Sequence, residues 1–256
     1  MNGKDFRFLR ELKNLSALDL SEASIKKGKE PYHASYTIAE DGEISSYLLY
    51  NLPVEWLILP NETRSLKPKA FGKSPFFQIE IPQQVETIYP NCFTDCSALR
   101  EIRISDAEKP LRLEREDTEE WQYWGPKTEY MYIGRNLEWN TLYTDDGTPF
   151  SKIPQLQELE LAGFTTEVAD YAFYNCEKLL QVNLGASVKA LGKGVFERCQ
   201  SIVNIHCENP TPPDIKRGTF HPYAFRHAQV QIPAGHLKEY TSHPIWSRFE
   251  HIKEYN

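Results

Sequence analysis

The sequence predicts a repeat solenoid of short parallel strands with irregular or short helical returns. Three observations predict it. A pair of apolar residues two positions apart recurs nine times in 256 residues. A second element, an apolar residue followed five steps later by a large apolar or aromatic anchor, falls between those pairs. The anchors return every 22 to 24 residues over most of the chain. Fixed periods of this length are the signature of stacked structural repeats.

The apolar pairs are Leu18/Leu20, Leu57/Leu59, Ile79/Ile81, Ile102/Ile104, Met131/Ile133, Leu159/Leu161, Val182/Leu184, Ile205/Cys207 and Val230/Ile232. All eighteen slots are apolar, where average composition would fill about seven. Period-2 alternation over a few residues is a strand with one buried face. The second element reads Ile44…Leu49, Leu66…Phe71, Ile88…Phe93, Val168…Phe173, Leu191…Phe196 and Ile215…Phe220. Phe150 fits at the anchor alone, because Asp145 fills the other slot. One such unit cannot bury its own apolar face, whereas stacked units bury a continuous core.

Taken in order, the chain reads as a single solenoid domain over 1–256. Residues 1–20 hold an N-terminal cap and the first strand. Within them 5–12 form a short helix, with Phe6, Leu9 and Leu12 on its inner side. Residues 21–43 are irregular, and 44–104 are repeats. Residues 105–129 are an insertion, with eight acidic residues against four basic ones. In and after it come Trp121, Trp124 and Trp139, with Tyr123, Tyr130, Tyr132 and Tyr143. Residues 130–220 return to repeats, and 221–256 form a last repeat and a cap. There Pro233-Ala234-Gly235 is a turn, 236–242 a helix, and Trp246 and Phe249 a plug. A solenoid needs such caps because its ends expose core.

The five cysteines are odd in number and include no CxxC. Cys96, Cys176 and Cys199 each lie three residues after a Phe anchor, and Cys207 fills a strand slot. Equivalent slots in successive units point to core positions, since free Cys behaves as a small hydrophobe.

Composition excludes several functions. A net charge of −7 argues against nucleic acid as a partner, which requires a basic surface. No apolar run is long enough to be a membrane span. GxSxG, P-loop, GxGxxG and HExxH motifs are all missing, and the histidines have no metal-ligand spacing. No enzyme, metal or cofactor is therefore expected.

A binding surface is the remaining class. The outward strand positions include Glu101/Arg103, Tyr130/Tyr132, Glu158/Glu160, Gln181/Asn183, Asn204/His206 and Gln229/Gln231, on the side where solenoids carry extended binding surfaces. Insertions likewise map to one face, often the binding face. The candidate ligand-binding residues are Trp121, Trp124, Tyr130, Tyr132, Arg103, Glu101, Glu158 and Glu160. Exposed aromatic faces would stack on a sugar or anchor a protein, with carboxylates accepting hydrogen bonds. The competing reading has these aromatics packing the insertion back onto the solenoid.

The stretches IEIPQQVETIYPNCFTDCSALREIRI (79–104) and VADYAFYNCEKLLQVNLGASVKALGKGVFERCQSIVNI (168–205) resemble the BspA-like leucine-rich repeats. The opening and the ending 230–256 are similar to the terminal segments of the same proteins. The resemblance implies a leucine-rich-repeat solenoid, a right-handed horseshoe or ribbon. It also implies a secreted or surface-exposed protein of host-associated anaerobic bacteria, used in adhesion or protein binding and free of catalytic residues. Such proteins carry a leader, and the first residues here contain no apolar h-region, so a chain lacking its leader is expected. The function expected is a non-catalytic module binding a protein or glycan. A structural spacer is the alternative, and an enzyme the remote one.

Overall fold

A computed structural model of the chain describes residues 1–29, 31–33, 38–114, 124–139 and 148–256. Two compact units divide the chain. The first comprises Met1–Ser105, Pro110–Thr128 and Glu138–Asn140, the second Asp106–Lys109, Glu129–Leu137 and Thr141–Asn256. Each is a stretch of parallel β-solenoid.

The first unit opens with helix α1 (Gly3–Glu11), then β1 (Ala17–Asp19), β2 (Glu43–Ile44), β3 (Trp56–Ile58), β4 (Ser65–Leu66), β5 (Gln78–Ile81), β6 (Thr87–Ile88), β7 (Glu101–Ile104) and β8 (Leu111–Leu113). Asn2 and Asp5 form a capping box at the start of α1. Phe6 on α1 is fully buried. The apolar pairs set the register: Leu18 lies beside Leu57, and Ile79 and Ile81 beside Ile102 and Ile104. Every slot of these pairs is buried except Leu18, in the terminal strand.

The second apolar element forms its own ladder, with β2, β4, β6 and β8 running parallel in that order. The returns between front strands are thus two- or three-residue strands joined by turns. The described helices lie near the chain ends. Anchors stack inside this ladder, with Phe71 and Phe93 rings 5.0 Å apart and nearly parallel.

Turns around each anchor explain how so little strand suffices. Tyr47, Lys69 and Asn91, two residues before anchors, and Asn51, Lys73 and Asp95, two after, all have φ between 53° and 62°. Left-handed backbone costs a non-glycine residue about 1–2 kcal/mol. Here it aims N–H groups at the next rung: Lys69 N donates to Asn91 O at 2.9 Å and Lys73 N to Thr94 O at 3.0 Å. Backbone donors that would otherwise be buried unpaired are satisfied without a long strand.

The insertion expected over 105–129 is partly regular. Leu111 and Leu113 are buried, and Leu113 pairs in register with Ile88. Trp124 is 3% exposed and stacks on Phe93 at 6.3 Å. It is an anchor of the ladder, displaced from its period by extra residues before it.

The second unit contains β9 (Tyr130–Ile133), β11 (Glu158–Leu161), β12 (Glu167–Val168), β13 (Gln181–Leu184), β14 (Ala190–Leu191), β15 (Asn204–Cys207) and β16 (Asp214–Ile215). It closes with α2 (Pro222–His227), β17 (Gln229–Pro233), α3 (Leu237–Ser242) and β18 (His251–Tyr255); β10 (Leu137–Trp139) falls at the division. The front ladder runs β9, β11, β13, β15, β17, β18, and the rear one β12, β14, β16. Phe150, Phe173, Phe196 and Phe220 stack at 5.4, 6.0 and 5.2 Å. Trp246 closes this stack 5.9 Å from Phe220, its indole N–H donating to Pro213 O at 2.8 Å. Phe249 packs beside it. Strand β18 lacks an apolar pair, with Ile252 alone between polar neighbours, so the sequence pattern misses it.

All five cysteines are buried thiols. Those after anchors share one contact. Cys96 Sγ lies 3.1 Å from Phe71 O, Cys176 Sγ 3.4 Å from Phe150 O and Cys199 Sγ 3.2 Å from Phe173 O. Ser74 holds the same slot and donates to Leu49 O at 2.8 Å.

Candidate functional site

The eight candidate residues do not form one group. Trp121 lies outside the described residues. Trp124 is a correction to the sequence reading: its ring is enclosed in the first unit's anchor stack, with no face left for a ligand. Glu101 and Arg103 sit on β7 in that unit, outward and half-buried, joined by an ion pair at 3.4 Å. A pair this exposed is worth no more than about 1 kcal/mol.

The other four belong to the second unit, where strand register brings them together. Tyr130 lies beside Glu158 and Tyr132 beside Glu160. Register extends these into two outward rows. One runs Tyr130, Glu158, Gln181, Asn204, Gln229 and His251. The other runs Tyr132, Glu160, Asn183, His206, Gln231 and Lys253.

Neighbouring rungs hold these side chains in place. Tyr130 Oη donates to Glu160 Oε2 at 2.7 Å, and Tyr132 Oη to Asp106 Oδ1 at 2.6 Å. Glu158 Oε1 accepts from Gln181 Nε2 at 3.1 Å and Asn183 Nδ2 at 3.2 Å. The His206 and Tyr255 rings pack with centroids 4.5 Å apart. Burial, reinforced by the nearby Glu208 carboxylate, holds the Tyr255 phenol above its usual range.

A depression of about 410 Å³ opens in this face. Glu160, Asn183, His206 and Gln231 line it from the second row, with Gln181 and Asn204 from the first. Ala162, Gly185 and Glu208, each the residue just after a strand, complete it with Ile205. A Cβ at Gly185 would lie 3.0 Å from Ala162 Cα and from Leu161 O, so glycine lets the rungs pack closely there. Of the sequence-stated candidates only Glu160 lines the depression. The amides had been recognisable as outward positions, but the three residues after the strands carry no periodic mark.

What the face offers chemically is dense, fixed hydrogen bonding. Among the described residues no group of three or more His, Cys, Asp or Glu side chains is placed to hold a metal ion. Also among them, no helix is long and apolar enough to cross a membrane.

The BspA type leucine rich repeat region family matches residues 42–111 and 144–240, in six copies. Among solved structures, a leucine rich cell surface protein from Faecalibacterium prausnitzii A2-165 is similar at 15% identity and a TM-score of 0.30. That similarity covers 98% of this chain, which spans 62% of the other's length. A leucine-rich repeat protein from Bacteroides ovatus ATCC 8483 is similar at 16% identity and a TM-score of 0.25, over 81% of this chain and 73% of its own. A search of curated proteins returned no match.

Proposed function

This chain belongs to the BspA-type leucine-rich repeat family, and from that premise we propose a non-catalytic recognition module whose contact surface is the outward face of the second unit. Its partner is a protein or glycan met outside the cell, with the module secreted or held at the cell surface and serving adhesion. Family membership supports a binding or structural role in general. The observation that favours binding is the side-chain network across β9, β11 and β13. Tyr130 holds Glu160, and Gln181 and Asn183 hold Glu158, at spacings set by the ladder. Side chains already held in place lose little entropy on meeting a ligand, so more of the interaction energy appears as affinity.

Arrays of glycans and extracellular matrix proteins test this reading, probed with the native chain and a Glu158→Ala/Asn183→Ala variant. Losing a charged hydrogen-bonding group costs about 1.5–3 kcal/mol, so a bound partner is expected to weaken at least about tenfold. Equal binding by both chains would move the site elsewhere. No binding by the native chain would favour a spacer.

A further inference from the structure

We propose that the depression beside β11, β13 and β15 is a subsite for a neutral, hydroxyl-rich ring, the terminal residue of an uncharged glycan. The proposal rests on the reading of this face as a recognition surface. Four features of the depression carry it.

Size comes first. About 410 Å³ lies at the lower end of the range for small-molecule sites, enough for one or two sugar rings. A folded peptide segment would not fit.

Second is the type of polar group. Glu160, Glu208, Asn204 and Gln231 line it with planar carboxylates and amides, each carrying two polar atoms side by side, while the side-chain N–H groups of Gln181 and Asn183 are held by Glu158. Such a group meets two adjacent hydroxyls at once. Carboxylates accept from up to about four donors, and Glu160 uses one acceptor position on Tyr130. Hydroxyls both donate and accept, which suits amides and carboxylates mixed in one small space.

Third is charge. The lining includes two carboxylates and no lysine or arginine. Lys253 lies one rung beyond Gln231, outside the lining. A phosphate, sulfate or sugar acid would enter against two carboxylates with no lysine or arginine to meet it, which disfavours acidic glycans.

Fourth is apolar surface. Ala162 and Gly185 contribute a small amount of apolar lining, and the His206 ring, packed against Tyr255, lines the depression with them. This suits the C–H face of a sugar ring. It gives a buried Trp or Leu anchor of a protein partner too little apolar surface to displace water productively.

Nuclear magnetic resonance titration of the full chain tests the proposal, using methyl glycosides of neutral hexoses and N-acetylhexosamines, methyl glucuronide and a simple alkylamine. Expected are shifts of the Asn183, Gly185, His206 and Glu208 amides with one or more neutral glycosides, and none with glucuronide. Ala162→Leu, which enlarges a side chain of the lining, is expected to weaken that binding at least tenfold. His206→Ala is a second variant with less risk to folding, and should weaken it several-fold. Response to glucuronide or amine alone, or to no neutral glycoside, would overturn the proposal, as would undiminished binding by both variants. The two readings separate on the arrays. A partner lost with Glu158→Ala/Asn183→Ala, but unaffected by Ala162→Leu and by excess neutral glycoside, removes the sugar subsite and leaves the recognition face standing.

Discussion

Ser74, Cys96, Cys176 and Cys199 occupy one slot, and one physical requirement selects them. At these four rungs the residue three after an anchor is small, because the slot is closed, and offers a donor to the carbonyl of the preceding anchor. Cys199→Ser should therefore keep the contact and cost less than about 1 kcal/mol, whereas Cys199→Leu should cost about 1–3 kcal/mol by overpacking. Urea midpoints check both. Burial pushes the Cys96 and Cys207 thiols up to about 12 and raises Cys92 and Cys199 well above 9.0. In the unfolded chain these thiols ionise near 9. Their contribution to stability is thus complete below pH 9 and is lost as pH rises above it, toward about 12 for Cys96 and Cys207. Each is expected to remove up to about 1.4 kcal/mol of unfolding free energy per pH unit in that window. Urea titrations at pH 7, 9 and 10.5 measure it, and an unfolding free energy unchanged at pH 10.5 would contradict it. The left-handed positions make a further residue-scale case. Asn175 has φ 58° and donates its N–H to Glu197 O at 2.9 Å. Asn175→Gly should be close to neutral, while Asn175→Val should lose about 1–2 kcal/mol, because a β-branched side chain is strained there.

At the scale of elements, the anchor ladders are the main unit of packing. Phe173 is fully buried between Phe150 and Phe196. Phe173→Ala should cost about 3–5 kcal/mol. Phe173→Leu should cost less, since Leu49 fills the corresponding slot in the first unit and is itself fully buried. Trp124 tests whether the displaced anchor is core. Trp124→Phe should cost little, Trp124→Ala about 3–5 kcal/mol, and Trp124→Phe should leave ligand binding unchanged. A binding loss at full stability would return Trp124 to the contact surface. Front strands and anchors were legible in the sequence because each repeat places the same residue type at the same step. Trp124 was not, because extra residues before it break the count on which the pattern depends. Strand β18 escaped for a different reason. None of its residues is buried, so no buried face enforces alternation along it.

For the molecule as a whole, the ends carry a distinct burden. The stack of the second unit stops at Phe220, and Trp246 and Phe249 cover it. Trp246→Ala should expose that stack, destabilise the C-terminal rungs by about 3–5 kcal/mol and promote self-association, detectable by size-exclusion chromatography and dye binding. Because each rung contacts its neighbours alone, the damage should show as lost amide protection in β17 and β18 before more distant rungs. The net charge of −7 is used locally. Asp106, Glu158 and Glu160 each accept a hydrogen bond from a neighbouring rung, so these acids organise a face.

The sequence by itself determined which side chains point inward, how the rungs register, and that the outward rows are polar. Those properties repeat, and repetition is visible in one dimension. Only the tertiary structure decided that Trp124 is core and where the face has room. The depression depends on Ala162, Gly185 and Glu208 from three different rungs, none unusual where it stands. Its walls are held by hydrogen bonds between residues two to three dozen positions apart, such as Tyr130 with Glu160 and Glu158 with Asn183. Space and side-chain orientation arise from the sum of such neighbours, and no single repeat contains them.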